Sequence, residues 1–318
     1  MKHPTRAVCG RFSLLFMIGC AWLSGCQDPL TDPATVLGPR VIGARVRATL
    51  DPSVAEPGAG ESASIDWLLV SNRPAALAAT LAWCRAAPTL LGPPRCDGPS
   101  FDEQRLTGSF GEPLTFDFSV PEDALPGDAW LAWLGYCENG EAAFDASESA
   151  FTCSGTGPSL RAYYRGFLPG DVPNQNPSLG DDQLLLAGLP WLEGDAPAVG
   201  EACEGSALPR ISAGQSASVA FLLGGDDREA LGSEPGEYAA HDRESLVYTH
   251  LATHPGLDRA FSAIDFDFDA DEPSFELPFL FGQDAAPAPE GETLRFFLVV
   301  RDERGGVDWL RRDACLVP

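Results

Sequence analysis

The chain is almost without lysine: Lys2 is the only one among 318 residues, so arginine supplies the other 20 of its 21 basic groups. A Schiff-base lysine, a Walker-type phosphate loop and a Ser-Lys dyad all need that amine, and the lack excludes them together. Histidine is scarce as well, at four. No CxxC pair occurs, which argues against a zinc ribbon or a thioredoxin-like redox site. No GxSxG occurs either; the nearest approach, Gly214-Gln-Ser216-Ala-Ser218, lies inside a β-like stretch, so serine-elbow acyl chemistry has no motif. The 33 glycines and 28 prolines leave little room for long helices.

What is abundant is acid. Against 21 basic residues stand 46 Asp and Glu, a formal charge of −25. Such a surface repels nucleic acid, whose affinity for proteins rests on basic contacts to phosphate. It equally disfavours anionic lipid headgroups. The expected partners therefore include no nucleic acid, and most of the charge reads as a solvated acidic face.

The N-terminus is the exception to this acidity. Lys2, Arg6 and Arg11 precede and enter an apolar run, Phe12 to Gly25, of 14 residues. That is too short for the roughly 20 residues of a membrane-crossing helix, and it has the form of a secretory signal. Its end, Leu23-Ser24-Gly25-Cys26, resembles the bacterial lipobox, in which cleavage leaves a lipid-bearing cysteine. Met17-Ile18-Gly19-Cys20 would leave a shorter apolar region and matches less well. Residues 1–25 are therefore expected to be a lipoprotein signal peptide, Cys26 the lipid (palmitate) attachment, and 26–39 a polar tether. Removing the signal takes three basic residues and no acidic one, so the charge becomes 18 − 46 = −28. Gln27 supplies no inner-membrane retention signal, which places the anchored protein at the outer membrane.

Six cysteines remain after Cys9 and Cys20 leave with the signal and Cys26 takes lipid: Cys84, Cys96, Cys137, Cys153, Cys203 and Cys315. In an exported chain an even number reads as disulfides. A long internal repeat constrains how they pair. Ala59–Leu69 (AGESASIDWLL) returns as Ala213–Leu223 (AGQSASVAFLL), with seven of eleven positions identical. TFDFSVP from Thr115 then faces SFELPFL from Ser274, and LAWLGYCENG from Leu131 faces FFLVVRDERG from Phe296. A period this long means two whole domains. Each reads as short strands punctuated by Gly, Pro, Asp and Asn, with the clearest alternation at Leu114, Phe116, Phe118 and Val120. The alanine-rich Pro74–Arg85 suits either a weak helix or a strand.

The fold class expected is all-β: two tandem immunoglobulin-like β-sandwich domains, 40–168 and 181–318, around a Pro-rich linker, 169–180. Cysteines confined to their own domains leave Cys203 to Cys315 in the second. In the first, the short loops favour Cys84 with Cys96 and Cys137 with Cys153.

Several of these stretches together are similar to a family of uncharacterised myxobacterial surface lipoproteins with tandem immunoglobulin- or PKD-like sandwiches. They are the lipobox at Cys26; RVIGARVRATLDPSVAEPGAGES from Arg40; WC with a second cysteine a dozen residues on; NQNPSL at the joint; and LVYTHLATHPGLDRA followed by VVRDERGGVDW. His254-Pro255 stands where that family has a Thr-Ala-Gly-Glu-Leu turn. The resemblance spans nearly the whole mature chain and implies fold and anchoring, and no catalytic residue.

Two clusters merit weighing as metal sites. His250 and His254, four apart and with His241 nearby, have a spacing that could serve zinc on a helix. LVYTHLAT reads as strand, however, where residues four apart lie about 13 Å apart, so surface or turn histidines are expected. In DFDFDADEPSFE, Asp265, Asp267, Asp269, Asp271 and Glu276 fill positions 1, 3, 5, 7 and 12 of a calcium loop. The turn position that calls for Gly is Ala270, and Phe266 and Phe268 fit a strand entering a solvated acidic loop equally well. Calcium is thus the one cofactor left open, and none is required. The overall expectation is a lipid-anchored, non-enzymatic envelope protein for binding, adhesion or spacing, with a protein or polysaccharide ligand. The alternative is an envelope hydrolase or metal-dependent enzyme using Asp/Glu and the histidines.

Overall fold

A computed structural model of the chain describes residues 32–72, 76–88, 93–157, 159–170, 173–224, 228–231, 243–264, 274–281 and 289–318. Among these residues the regular elements are all strands. Nine belong to the first half: β1 (Arg40–Ala48), β2 (Ser62–Val70), β3 (Ala76–Arg85), β4 (Asp102–Ser109), β5 (Pro113–Ser119), β6 (Ala129–Cys137), β7 (Ala142–Asp145), β8 (Ala150–Cys153) and β9 (Ser159–Phe167). Nine follow in the second: β10 (Leu184–Leu186), β11 (Leu189–Pro190), β12 (Arg210–Ser212), β13 (Ala217–Gly224), β14 (Leu246–Ala252), β15 (Phe261–Ile264), β16 (Ser274–Phe281), β17 (Glu292–Asp302) and β18 (Val307–Val317).

The sheet order repeats the sequence duplication strand for strand. In the first half β1-β2-β5 faces β4-β3-β6-β9; in the second, β10-β13-β16 and β15-β14-β17-β18 occupy the same places, with β11 and β12 added at the edges. Strand pairing refines the residue equivalence read from sequence. Ile65 pairs with Phe116 and its repeat mate Val219 pairs with Phe279, so Phe116 corresponds to Phe279 and not to Phe275. The slip is four residues, an even number, so the alternation of faces could not reveal it. Between β6 and β17 the sequence match is out by an odd step, because Leu131 points away from its sandwich core while Phe296 points into its own.

Each half has a core between its two sheets. Ile65, Trp67, Phe116, Phe118 and Leu134 fill the first, and Phe221, Tyr248, Phe281, Phe296 and Leu298 fill the second. β5 follows the alternation expected of it, with Leu114, Phe116 and Phe118 buried and Thr115, Asp117 and Ser119 exposed. The alanine-rich segment is strand β3. It is buried almost throughout, and small side chains suit a strand covered on both faces. Cys84–Cys96, Cys137–Cys153 and Cys203–Cys315 are disulfides with Cα separations of 5.6, 5.9 and 5.6 Å, each within one half.

A third apolar cluster joins the halves. Val36, Ile42, Leu68 and Val70 meet Leu251, Phe297, Val299 and Val307, with Trp309 at the margin. Thus the outer face of β1-β2 packs on the outer face of β14-β17-β18. Of the segment read as tether, Ala34, Thr35 and Val36 are buried, and the Val36 N–H donates to the Ala252 carbonyl at 2.8 Å. The 169–180 stretch is likewise bound to both sides. Asn176 Nδ2 donates to the Val46 carbonyl at 2.6 Å, and its Oδ1 accepts from the Val307 N–H at 3.0 Å.

Candidate functional site

Polar groups concentrate where the halves meet, because a sheet face buried on a second sandwich must satisfy every charge it carries. Asp66 on β2 is 1 % exposed. It accepts from Arg47 at 2.9 Å, Arg45 at 3.4 Å and Thr115 Oγ1 at 2.7 Å. Arg45 also reaches Asp308 of the second half. Further along the joint, Asp302 ends β17. Its Oδ1 accepts the backbone N–H groups of Arg304 (2.8 Å) and Gly306 (2.7 Å), and its Oδ2 accepts from Asn174 Nδ2 at 3.1 Å. Burial raises the Asp302 carboxyl to about 6 against these hydrogen bonds. Glu244 is raised to about 8, again chiefly by burial, with Asp302 and Glu229 adding repulsion. The Tyr164 hydroxyl, pushed upward by burial, donates to the Gly305 carbonyl at 3.0 Å and so bridges the halves.

A polar cleft of about 530 Å³ opens beside this joint, lined by Glu193, Asp195, Arg295, Arg311 and Asp313. All of these charges but that of Asp195 are matched. Arg295 Nε donates to Asp313 Oδ1 at 2.8 Å, and Arg311 binds Glu193 at 3.1 Å and also Glu112 of the first half. Paired charges of this kind hold the walls of the cleft in place. A second surface lies on β9, where Arg161, Tyr163, Arg165 and Phe167 point outward and are exposed. Neither arginine has an ion-pair partner among the described residues, whereas Arg45, Arg85, Arg105, Arg259 and Arg295 each have one. Tyr163 packs on Trp133 with ring centroids 5.4 Å apart, and Arg165 lies 5.0 Å from the Phe167 centroid.

His250 and His254 lie in different settings. His250, expected at a surface or turn, is in the core of the second half, fully buried on β14 with its ring 5.9 Å from that of Phe221. Burial, with Arg259 adding to it, lowers its pKa to about 4. The sequence obscured this because an imidazole between apolar neighbours in LVYTHLAT reads equally as an outward polar position. His254 Nε2 lies 3.4 Å from Glu292. Among the described residues no group of three His, Cys, Asp or Glu side chains is arranged to hold a metal ion. His241, Asp265, Asp267, Asp269 and Asp271 lie outside the described residues, as does the Glu276 side chain, and so does Cys26.

No family model matches the chain. No curated protein matches it either. Among solved structures it is similar to red sea bream transglutaminase, at 7 % identity and a TM-score of 0.25 over 89 % of this chain and 32 % of that one. Elastase-activated Escherichia coli alpha-2-macroglobulin matches at 8 % identity and a TM-score of 0.20, over 88 % of this chain and 22 % of that one. The Yersinia pseudotuberculosis adhesin InvE matches at 10 % identity and a TM-score of 0.19, over 85 % and 58 %. The chain spans less than two thirds of the length of each. These likenesses are too slight to carry function.

Proposed function

We propose that the chain is a lipid-anchored, non-enzymatic protein of the cell envelope, held at the outer membrane through Cys26, whose fused sandwiches act as a binding or spacer module. The observation that carries this reading is the disulfide set. All six cysteines after Cys26 are paired, each pair inside its own half, which is the economy of a chain that folds in an oxidising compartment. The lipobox-like Leu23-Ser24-Gly25 before Cys26 supplies the address, and the joint supplies the rigidity a spacer needs. An acidic protein or polysaccharide ligand would find its complement on β9, at the unopposed Arg161 and Arg165. The test is mass spectrometry of the N-terminal peptide from the membrane fraction, with Cys26→Ser beside the wild type. A diacylglyceryl-modified Cys26, and release of the variant from membranes, support the reading. An unmodified Cys26, or a variant that stays membrane-bound, removes it.

A further inference from the structure

The β7-β8 hairpin covers only part of the outer face of the first sandwich. It lies over β3 and β6. Thr80 Oγ1 on β3 donates to the Ala142 carbonyl at 2.6 Å, Phe144 is 5.9 Å from Trp133 in ring centroids, and Phe151 sits over Gly135. β9 is the next strand out and the edge of its sheet. Its outer face is therefore a ledge one strand wide, roughly 5 Å, walled by the hairpin on one side and open on the other. Arg161, Tyr163, Arg165 and Phe167 stand on this ledge, pointing outward because Leu160, Ala162 and Tyr164 turn to the core. Neighbours in the row are two residues apart, about 7 Å along a strand, so charge and ring alternate over about 20 Å.

The two arginine side chains make no hydrogen bond or ion pair among the described residues, in a chain with 46 acidic groups. Arg95 and Arg210 share that state, but the first lies in a loop and the second on a three-residue strand without an aromatic. Arg165 is nonetheless held in place. Its guanidinium lies over Phe167, 5.0 Å from the ring centre, which fixes the fork and leaves its N–H groups free. Tyr163, 50 % exposed, packs on Trp133, and Trp133 packs on Phe144. Its ring is thus positioned before any ligand arrives, so little side-chain order remains to be gained on binding.

We propose that this row binds an acidic polysaccharide, a polyuronate lying along β9 with carboxylates on Arg161 and Arg165 and a sugar ring on Tyr163. This ligand deepens the binding-module reading and rests on it. The free guanidinium groups select the anion, since their fork matches a carboxylate. Tyr163 selects the sugar, because the C–H face of a pyranose packs on the electron-rich face of an aromatic ring. The ledge selects a single extended polymer. An acidic protein surface would need about 800 Å² per partner and would meet the hairpin first. A strand-adding peptide would use the backbone edge of β9, in the plane of the sheet. These four side chains instead stand perpendicular to that plane. The charge of −25 repels a polyanion from most of the remaining surface, which restricts it to the ledge.

The test is calorimetric titration of the full chain carrying Cys26→Ser with polygalacturonate and with alginate. Dextran serves as the neutral polysaccharide and polyglutamate as the acidic polypeptide. At least one polyuronate should bind, and dextran and polyglutamate should not. Arg161→Gln and Arg165→Gln should each weaken that binding about tenfold while melting with the parent. Tyr163→Leu, which keeps Trp133 covered, should weaken it severalfold, and Arg210→Gln should leave it unchanged. Failure of both polyuronates to bind overturns the proposal. So does binding indifferent to Arg161 and Arg165 or to Tyr163, or binding shared equally with dextran or polyglutamate. Because this chain carries no lipid, either result leaves the anchoring at Cys26 to its own test.

Discussion

The guanidinium of Arg45, on the first sandwich, lies 4.4 Å from the centre of the Trp309 ring on the second. The same side chain binds Asp66 of its own half and Asp308 of the other. A single arginine thus closes the rim of an apolar seam through a cation–π contact and two ion pairs.

Because that seam is a packed core, the two halves should unfold as one cooperative transition, followed by tryptophan fluorescence and circular dichroism in urea. Phe297→Ala, which opens a cavity in the seam, should cost about 3–5 kcal/mol and separate the two probes' midpoints. Coincident probes in that variant would mean the seam contributes no coupling.

Asp66→Ala leaves Arg45 and Arg47 without their shared carboxylate and should lower stability by about 3 kcal/mol. Arg47→Ala should cost only about 1 kcal/mol, since that arginine is 39 % exposed and partly screened. The midpoint of urea unfolding reads both, and equal losses would contradict the ranking.

Acidity should act through Glu244 and His250 in opposite directions. Glu244 titrates at about 8 in the fold against its ordinary 4.5, so its contribution is whole below pH 4.5 and is lost as pH rises through 8. Asp302 behaves alike, over the window from 3.8 to about 6. His250 is lowered from 6.5 to about 4, so its contribution is whole above pH 6.5 and is lost as pH falls through 4. Each step is worth several kcal/mol at about 1.4 kcal/mol per pKa unit. Together these groups should hold the melting temperature level near pH 4 to 4.5, where Asp302 offsets His250, and lower it from there towards pH 8. Glu244→Gln, which keeps the bond to the Glu229 N–H, should flatten the alkaline limb alone. An unchanged alkaline limb would remove Glu244 as its source.

Replacing Cys203 and Cys315 together by serine releases a loop of 112 residues, about 4–5 kcal/mol in the chain-entropy account. The equivalent change at Cys137 and Cys153, separated by 16, should cost about 3 kcal/mol. Thermal melts of the two double variants should keep that order, and the reverse order would place the stabilisation in local packing.

Gly135 on β6 sits beneath Phe151 of the hairpin, and a Cβ there would lie 2.4 Å from the ring. Gly135→Ala should displace β7-β8, cost about 1–3 kcal/mol and speed reduction of Cys137–Cys153 by thiol. An unaltered reduction rate would show that the ring yields without moving the hairpin.

How much of this was legible depends on whether a strand has one buried face or two. β5, wet on one side, displays its alternation openly, and the duplication told which cysteines share a half. Leu68-Leu69-Val70 and Phe296 to Val300 read as plain apolar runs, because both of their faces are buried, one in a sandwich and one in the seam. The seam therefore left a trace in the sequence, but one indistinguishable from ordinary hydrophobicity. The Pro-rich joint gave no sign that Asn174 and Asn176 bind both halves, since an asparagine in a loop looks the same whether its amide meets water or a backbone carbonyl. Leu222 and Leu280 were hidden for the opposite reason: beside Phe221 and Phe281 they spell a core that their register places outside.

The order of synthesis adds a last constraint. Ile42, Leu68 and Val70 belong to the part made first, while Phe297, Val299 and Trp309, which hide them, arrive near the end. Until then the leading sandwich travels with an oily side uncovered. Production of the protein is accordingly expected to depend on chaperones and on uninterrupted synthesis, and a fragment cut at the joint should aggregate even though its own disulfides have closed.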